Sequence, residues 1–342
     1  MAKYMIFIGT YSKSLFYGEF DEGSGKISIT GTLDVENPAY FHYSGDILYG
    51  VSETGKYKGE NGGALFSVDV SDPKKMRLID IKCTHGSLPC HLYAKDGFVF
   101  AANYSEGSLS VFETDASGAL KPSWQSIHHF GVGPNPKRQE APHIHFAAMT
   151  PDGKYLAVCD LGLDKVFLYP YSPQSGLSSK AKIICCPPGS GPRHLAFSKC
   201  GKYMYVLTEM GSAVLSYRYT GEDAEFISET SALPPGFAGE STAAAIHVSP
   251  DGSLLGASNR GADCIAVFET KEDGGIKNPT YIKDQKEPRD FGFSPKGGWL
   301  LSANQNGDCV KVFKIGNENK SFDQKFAIDI PAPVCIVFGG AI

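Results

Sequence analysis

Short apolar segments, each followed by a segment of alternating apolar and polar residues, recur seven times along the chain. Three examples are FVFAANYSEGSLSVFET (98–114), MYVLTEMGSAVLSYRY (204–219) and LLGASNRGADCIAVFET (254–270). In each, the two segments are joined by a turn rich in Gly, Ser, Asp or Asn, which predicts a β-hairpin. Many of the hairpins are preceded by a third apolar segment, as in IHVSPDG, and followed by a fourth, as in KIICC. No stretch predicts a long amphipathic helix.

Four strands per unit and seven units, at a period of about 50 residues, are typical of a β-propeller. We therefore predict an all-β, seven-bladed propeller with four antiparallel strands per blade, in which residues 1–342 form a single domain. The first unit begins directly with its second strand, MIFIGTY, whereas PAPVCIVFG (331–339) resembles an innermost strand and has no unit of its own. We predict that this C-terminal strand closes the first blade, which would leave only short, protected sheet edges.

The composition is that of a soluble globular protein, with 42% hydrophobic and 20% charged residues and a net charge of −5. Without a basic patch, neither nucleic acid nor an anionic membrane is an expected partner. No apolar stretch approaches the roughly 20 residues that span a bilayer, and the N-terminus is interpreted as a strand and not as a signal peptide. The nine cysteines are scattered and form no CxxC pair, which favours free thiols in a reducing cytoplasm. We expect a monomer or a weak homodimer.

Strand direction predicts which side chains meet. If the strands of a blade run A (innermost) to D (outermost) as an antiparallel meander, the starts of A and the ends of B surround one mouth of the central channel. The A-start position holds His145, Arg193 and Arg289. The B-end position holds Glu53, Tyr104, Leu161, Glu209, Arg260 and Gln305, and the position before it holds Ser52, Asn103, Asp160, Thr208, Asn259 and Asn304.

Three guanidinium groups around an enclosed channel repel one another unless an anion or a carboxylate compensates them, so the mouth predicts an anionic ligand. The Asn, Asp, Ser and Thr series at the strand ends is expected mainly to bond its own turns. We expect further contacts with the substrate from His143, His194, Arg289, Asn103 and Asp160.

Other histidines are interpreted more simply. His143 and His145 could form a metal pair, since alternate strand residues share a face, but no Asp or Cys partner is indicated and neither a metal nor another cofactor is expected. His85, His128 and His129 are predicted to be surface loop residues.

Several segments together resemble a known family: PHIHFAAMTPDGKYLAVCDLGLDKVFLY, GPRHLAFSKCGKYMYVLTEM and IHVSPDGSLLGASNRGADCIAVF. The chain is similar, over essentially its whole length, to the seven-bladed lactonase family, which contains propeller-type 6-phosphogluconolactonases and the fungal 3-carboxy-cis,cis-muconate lactonizing enzyme. The resemblance implies hydrolysis of an anionic sugar lactone, most simply 6-phosphogluconolactone of the pentose phosphate pathway. It places His145, Arg193, Glu209 and Arg260 in the active site.

For hydrolysis, His145 is the expected general base, and Glu209 would orient it or relay a proton. Arg193 and Arg260 would bind the anionic group and stabilise the oxyanion, without a metal or a covalent nucleophile. Two alternatives stay open. One is a carboxymuconate-type cyclase that uses the same residues. The other is a non-catalytic propeller that binds a ligand or a protein, although the GH…WD signature of many interaction propellers is absent.

Overall fold

The computed structural model describes residues 2–316 and 321–342, which fold almost entirely into β-strands. The strands in chain order are β1 (Lys3–Thr10), β2 (Ser14–Asp21), β3 (Ile27–Asp34), β4 (Pro38–Ser44), β5 (Ile47–Ser52), β6 (Lys56–Tyr57), β7 (Glu60–Asn61), β8 (Ala64–Asp69), β9 (Arg77–Cys83), β10 (Pro89–Lys95), β11 (Phe98–Asn103), β12 (Ser108–Thr114), β13 (Leu120–His128), β14 (Ile144–Met149), β15 (Tyr155–Asp160), β16 (Lys165–Ser172), β17 (Gly176–Leu177), β18 (Lys182–Cys185), β19 (Pro192–Phe197), β20 (Tyr203–Thr208), β21 (Ala213–Tyr219), β22 (Ala224–Ser231), β23 (Thr242–Val248), β24 (Leu254–Arg260), β25 (Cys264–Thr270), β26 (Ile276–Ile282), β27 (Pro288–Phe293), β28 (Trp299–Asn304), β29 (Cys309–Ile315), β30 (Phe322–Asp329) and β31 (Pro333–Ala341). A single 3-10 turn at Gln305–Gly307 separates β28 from β29.

Apart from the separate pair β6–β7, the described strands form seven antiparallel sheets, which confirms the predicted seven-bladed propeller. Blade 1 has the order β31-β1-β2-β3, so the C-terminal strand supplies the innermost strand of the first blade, as predicted. Blade 2 is β4-β5-β8-β9 and blade 3 is β10-β11-β12-β13. Blade 4 contains β14, β15, β16 and β18, with the two-residue strand β17 paired to the end of β16. Blades 5, 6 and 7 are the consecutive strands β19–β22, β23–β26 and β27–β30.

The hydrophobic core is divided among the blades. Seven clusters of buried apolar side chains each lie between two neighbouring blades. The cluster between blades 7 and 1 combines Trp299 and Leu301 with Ile6 and Ile8. Because both faces of each twisted sheet are covered in this way, the inner strands are apolar on both sides. The ring is therefore held by apolar contacts at every blade boundary, including the one that the C-terminal strand completes.

One feature of blade 2 differs from the repeat. Strands β6 and β7 form a separate small hairpin between β5 and β8, at the position where the other blades have a short turn. Its sequence, KYKGEN, is polar and lacks apolar alternation, so no pattern predicted a strand pair there. In the described ranges, no helix has the length and apolar character that crossing a membrane requires.

Candidate active site

A β-bulge near the start of every innermost strand builds one mouth of the channel. In blade 5, Pro192 pairs with Thr208 and His194 with Leu207, which leaves Arg193 as the extra residue. The same register shift occurs in the other blades and sets off Ala39, Cys90, His145, Arg193, Ala244 with Ala245, Arg289 and Val334. A bulge bends the strand and re-aims the side chain of the extra residue. The three residues predicted at the A-start position therefore occupy equivalent bulges.

Glu209, at the end of β20, is the centre of a buried ion cluster. Its Oε2 atom accepts a hydrogen bond from Arg193 Nε at 2.9 Å and forms an ion pair with Arg260 Nη2 at 3.0 Å. The same Arg260 nitrogen donates to the carbonyl oxygen of Ala243. The side chains of Glu209 and Arg193 are only 6% and 3% exposed. Burial alone would raise the pKa of the Glu209 carboxyl, but the charges of Arg260 and Arg193 hold it well below its usual range. Glu209 is consequently a fixed anion that compensates the guanidinium groups.

A third arginine reaches the same carboxylate from a loop. Arg138 lies on the connector between β13 and β14 and donates from Nη2 to Glu209 Oε1. The same nitrogen is 3.4 Å from the hydroxyl of Tyr104, another B-end residue. Sequence reasoning missed Arg138, because the connector has no equivalent in the other blades and the repeat gives it no register. Its Pro-rich segment GPNPKRQEAP contains Arg138, but no sequence pattern there indicates the direction in which this side chain points.

Asp160 holds both ends of this connector. Its Oδ2 atom is 2.6 Å from Nδ1 of His129, where the connector begins, and its Oδ1 atom accepts the backbone N–H of His143, where it ends. The other ring nitrogen of His129 is 2.8 Å from the Tyr169 hydroxyl. The prediction that His129 is a surface residue was therefore wrong, because this imidazole is buried with two polar partners. His85 and His128 are exposed, as expected, but His128 is the last residue of β13 and not a loop residue.

A second carboxylate lies across the mouth. Glu53, at the end of β5, accepts a 2.7 Å hydrogen bond from the Tyr11 hydroxyl and lies 3.9 Å from Arg289. The guanidinium of Arg289 stacks on the Tyr11 ring, 4.8 Å from its centroid, which is a cation–π arrangement. Glu53 and Arg289 are thus held on one side of the channel, while Glu209 and its three arginines lie on the other.

The histidines of the mouth are neutral. Burial, followed by repulsion from Arg193, lowers the pKa of both His145 and His194 well below the ordinary value. Nε2 of His194 is 3.2 Å from Arg193 Nη1, and since a guanidinium can only donate, this nitrogen is an acceptor. Nδ1 of His145 lies 3.6 Å from the thiol sulfur of Cys90. Burial raises the pKa of that thiol, so Cys90 is not an activated nucleophile.

The structure separates His143 from His145. The ring of His143 stacks on Tyr104 at 4.5 Å and its Nε2 atom is 3.3 Å from Glu140, whereas His145 occupies the bulge that points toward the channel. The bulge breaks the simple alternation that would put both rings on one face. Among the residues with a description, the group that could hold a metal ion is Glu60, Cys83 and His85, and no residue of the mouth belongs to it.

Two predicted substrate contacts are directed elsewhere. Asn103 is fully buried and donates from Nδ2 to the hydroxyls of Ser108 and Ser110 within its own blade. Asp160, also fully buried, is engaged by the connector. The structure therefore brings His145, His194, Arg193, Glu209, Arg260 and Arg289 together, but gives Asn103 and Asp160 supporting positions. Cys90, which the sequence analysis did not single out, follows a proline, as do the bulge residues of four other blades. That Pro could have marked the bulge.

The chemistry of the mouth follows from its charges. Four guanidiniums (Arg138, Arg193, Arg260, Arg289) and three carboxylates (Glu53, Glu209 and the buried Asp290) leave a formal net charge of +1. Nε of Arg260 is buried and has no hydrogen-bond partner among the described residues. Between Arg193 and Arg289 lies a small cavity of about 10 Å³, comparable to one water, which is also lined by Glu53, Cys90, His194 and Asp290. The arrangement can bind an anion beside a neutral imidazole.

Comparison with known proteins identifies the family. The family described as "Lactonase, 7-bladed beta-propeller" matches residues 5–338. A protein named 6-phosphogluconolactonase from Bacillus subtilis (strain 168) is 35% identical over 286 residues, 80% of this chain and 80% of that protein. The structure is similar to a periplasmic gluconolactonase of Pseudomonas aeruginosa, with a TM-score of 0.92, 31% identity and 99% of each chain covered. A Lactobacillus plantarum protein has a TM-score of 0.90 at 30% identity, over 98% of this chain and 99% of that one. The chain therefore belongs to the seven-bladed β-propeller lactonase family.

Proposed function

We propose that the protein hydrolyses an anionic sugar lactone and that its substrate is 6-phosphogluconolactone. The observation that carries the proposal is the excess of guanidiniums over carboxylates at the mouth, four against three. A phosphate monoester carries a charge of about −1.5 to −2 at neutral pH, so it has the sign that this positive excess attracts. A neutral gluconolactone would leave the excess uncompensated.

The arginines divide two tasks between them. Arg260, whose buried Nε lacks a partner, supplies a donor for the phosphate or for the oxyanion of the tetrahedral intermediate. Arg193, held by Glu209 and by the carbonyl oxygen of Ala244, supplies a rigidly oriented guanidinium next to it. Both are preorganised before substrate arrives, so the developing negative charge requires little rearrangement.

The proton acceptor in this mechanism is His145. Glu209 cannot act as the base near neutral pH, because its pKa lies far below that range and protonating it would leave buried guanidiniums uncompensated. The imidazole of His145 is neutral and has a free lone pair that can accept a proton from water as the water attacks the lactone carbonyl. When the bond between the carbonyl carbon and the ring oxygen breaks, the imidazolium returns this proton to the departing alkoxide. Burial and Arg193 disfavour the imidazolium. The nearby carboxylate of Glu209 acts in the direction of stabilising the imidazolium that forms. Glu209 thus positions the arginines and supports His145.

The proposal is tested with lactone generated in situ from glucose 6-phosphate, following its loss against spontaneous hydrolysis. We expect wild type to accelerate hydrolysis, His145→Gln to lose most of the acceleration, and Arg260→Lys to lose about 10- to 150-fold in kcat/KM, the equivalent of about 1.5–3 kcal/mol for a charged hydrogen bond. Arg218→Lys is the matched control, because Arg218 is an exposed residue of blade 5 outside the mouth. A wild type no faster than the background refutes the hydrolase. Equal kcat/KM for unphosphorylated gluconolactone refutes the phosphate assignment.

The compartment and pathway are part of the same proposal. All nine cysteines are free, and six of them are buried. We propose a reducing cytoplasm, where 6-phosphogluconolactone arises in the pentose phosphate pathway. Recovery of the protein from the soluble fraction with all thiols reduced, as measured by thiol titration in denaturant, is the expected result.

A further inference from the structure

The inserted hairpin of blade 2 brings three metal-ligating side chains together. Glu60 lies on β7 of the hairpin, Cys83 ends β9, and His85 lies in the connector between β9 and β10. One ligand atom from each lies within 4.8 Å of the other two, and Nδ1 of His85 is 3.6 Å from Glu60 Oε2. These residues take no part in the site described above.

The spacing suits a tetrahedral ion. With metal–sulfur bonds of about 2.3 Å and metal–nitrogen or metal–oxygen bonds of about 2.0–2.2 Å, neighbouring ligand atoms are about 3.3–3.7 Å apart. The observed 3.6 Å between His85 and Glu60 falls in this range. Cys83 is buried, so its sulfur is fixed in place. The side chains of Glu60 and His85 are 62% and 61% exposed and can rotate to bring their ligand atoms closer to this sulfur. A thiolate, an imidazole and a carboxylate form a mixed soft and hard set, which favours Zn²⁺ over Mg²⁺ or Ca²⁺.

The surroundings leave these ligands available. Two lysines line the same hollow, but the ammonium of Lys82 is paired with Asp80 at 2.9 Å and that of Lys58 lies over the Tyr57 ring. Among the described residues, the sulfur of Cys83 has two polar contacts. It is 3.5 Å from the carbonyl oxygen of Asn61, and it accepts the backbone N–H of His85. Two negative ligands and one neutral ligand would balance a divalent cation.

The backbone already holds the two segments in place. The amide of Gly63 donates to Gly86, and the amide of Leu88 donates to Thr54 at the base of the hairpin. The connector continues directly into Pro89 and the bulge residue Cys90, and the hairpin begins at Lys56, three residues beyond Glu53 of the mouth. A bound ion would therefore fasten two segments that both lead into the mouth of the channel.

We propose that Glu60, Cys83 and His85 form a binding site for Zn²⁺, in which the metal clamps the inserted hairpin to the connector that follows β9. The fourth position is open to water. Because Cys83 binds as a thiolate, binding releases a proton and the affinity for Zn²⁺ increases with pH.

The test uses the full chain carrying Cys185→Ser and Cys200→Ser, which removes the two exposed thiols that would bind metal nonspecifically. The protein is titrated with Co²⁺ under reducing conditions, and the complex is then displaced with Zn²⁺. We expect one Co²⁺ per chain, with a thiolate-to-metal charge-transfer band in the near ultraviolet and visible bands typical of tetrahedral Co²⁺. Zn²⁺ should bleach both and raise the melting temperature.

Ligand variants decide the assignment. Cys83→Ser should abolish the charge-transfer band, and His85→Asn and Glu60→Gln should each weaken Co²⁺ by more than about 10-fold. Asn is used at position 85 because His85 has a φ of 55°, which Asn tolerates. His128→Asn, an exposed histidine elsewhere, is the control and should bind Co²⁺ as the parent does. Circular dichroism in EDTA checks that each variant folds. If Cys83→Ser does not fold, the Glu60→Gln and His85→Asn variants alone decide the assignment. No thiolate band in the parent, or unchanged affinity in the ligand variants, overturns the proposal.

Discussion

Replacing Glu209 by Gln tests the central electrostatic argument. The substitution keeps the shape of the side chain and removes the charge that two buried arginines and Arg138 share. Removing one partner of a buried ion pair costs about 3–5 kcal/mol, because the remaining charge is left uncompensated. The loss of the carboxylate destabilises the charge of Arg193 most, because the Arg193 side chain is only 3% exposed. Burial, together with the charges of Arg260 and Arg289, already lowers the pKa of its guanidinium to about 10.

The cost converts into a melting temperature. Unfolding entropy near 60 °C is about 2.1 cal/mol/K per residue, or about 0.7 kcal/mol/K for 342 residues. Glu209→Gln should therefore melt about 4–7 °C lower than wild type. The formal net charge of the mouth rises from +1 to +2 in the variant, because a carboxylate is replaced by a neutral amide. A bound anion should consequently stabilise the variant more than it stabilises wild type.

The assay is differential scanning fluorimetry at low ionic strength, with and without 6-phosphogluconate. A ligand at 100 times its Kd stabilises by about 2.7 kcal/mol, or about 4 °C here, so the rescue is measurable. Glu225→Gln is the control, because Glu225 forms a long, exposed ion pair with Arg218. Two results would refute the claim that Glu209 compensates the arginines. One is a Glu209→Gln melting temperature equal to that of wild type, and the other is a ligand-induced increase in melting temperature no larger than that of wild type.

Three further predictions follow from other parts of the structure. Deleting residues 331–342 removes β31, whose buried side chains each contribute about 1.5–3 kcal/mol, and should abolish cooperative unfolding in urea; an unchanged transition would contradict closure by this strand. Burial lowers the pKa of His42 to about 4, against about 6.5 in the unfolded chain, so the unfolded state binds more protons in this window and stability falls as the pH falls. His42→Phe should remove about 1.4 kcal/mol per pH unit from that slope in urea titrations between about pH 6 and pH 5, and an unaltered slope would show that His42 does not titrate this way. Arg138→Ala should lower kcat/KM by at least about 10-fold, whereas Lys137→Ala, on the exposed side of the same connector, should leave it near wild type; equal effects would indicate general steering by loop charge.

Much of the fold could be predicted from sequence because its determinants are local. Alternating apolar residues and Gly- or Asn-rich turns define each hairpin within some 15 residues, and repetition multiplies the signal. Chain direction then places the start of A and the end of B on one face, which is enough to bring Arg193, Glu209 and Arg260 to one mouth. The polar hairpin β6–β7 has no such alternation, and it was missed for that reason.

The partners of the site residues depend on contacts between distant segments. Arg138 reaches Glu209 from a connector that no repeat aligns, and the two are 71 residues apart in sequence. The sequence around His129 is typical of a loop, yet packing against blade 4 buries the His129 ring, which contacts the carboxylate of Asp160. The separate orientations of His143 and His145 depend on a bulge, which changes the register by one residue and therefore the direction of a side chain.

The sequence by itself determined the number of blades, the closing strand and the face on which charge collects, since period, turn chemistry and strand direction are properties of the chain alone. Only the tertiary structure decided which carboxylate compensates which arginine, which histidine faces the channel, and that Glu60, Cys83 and His85 meet. The physical reason is that ion pairing, burial and metal ligation depend on distances of a few ångströms between side chains, and those distances are set by packing between segments that share no local pattern.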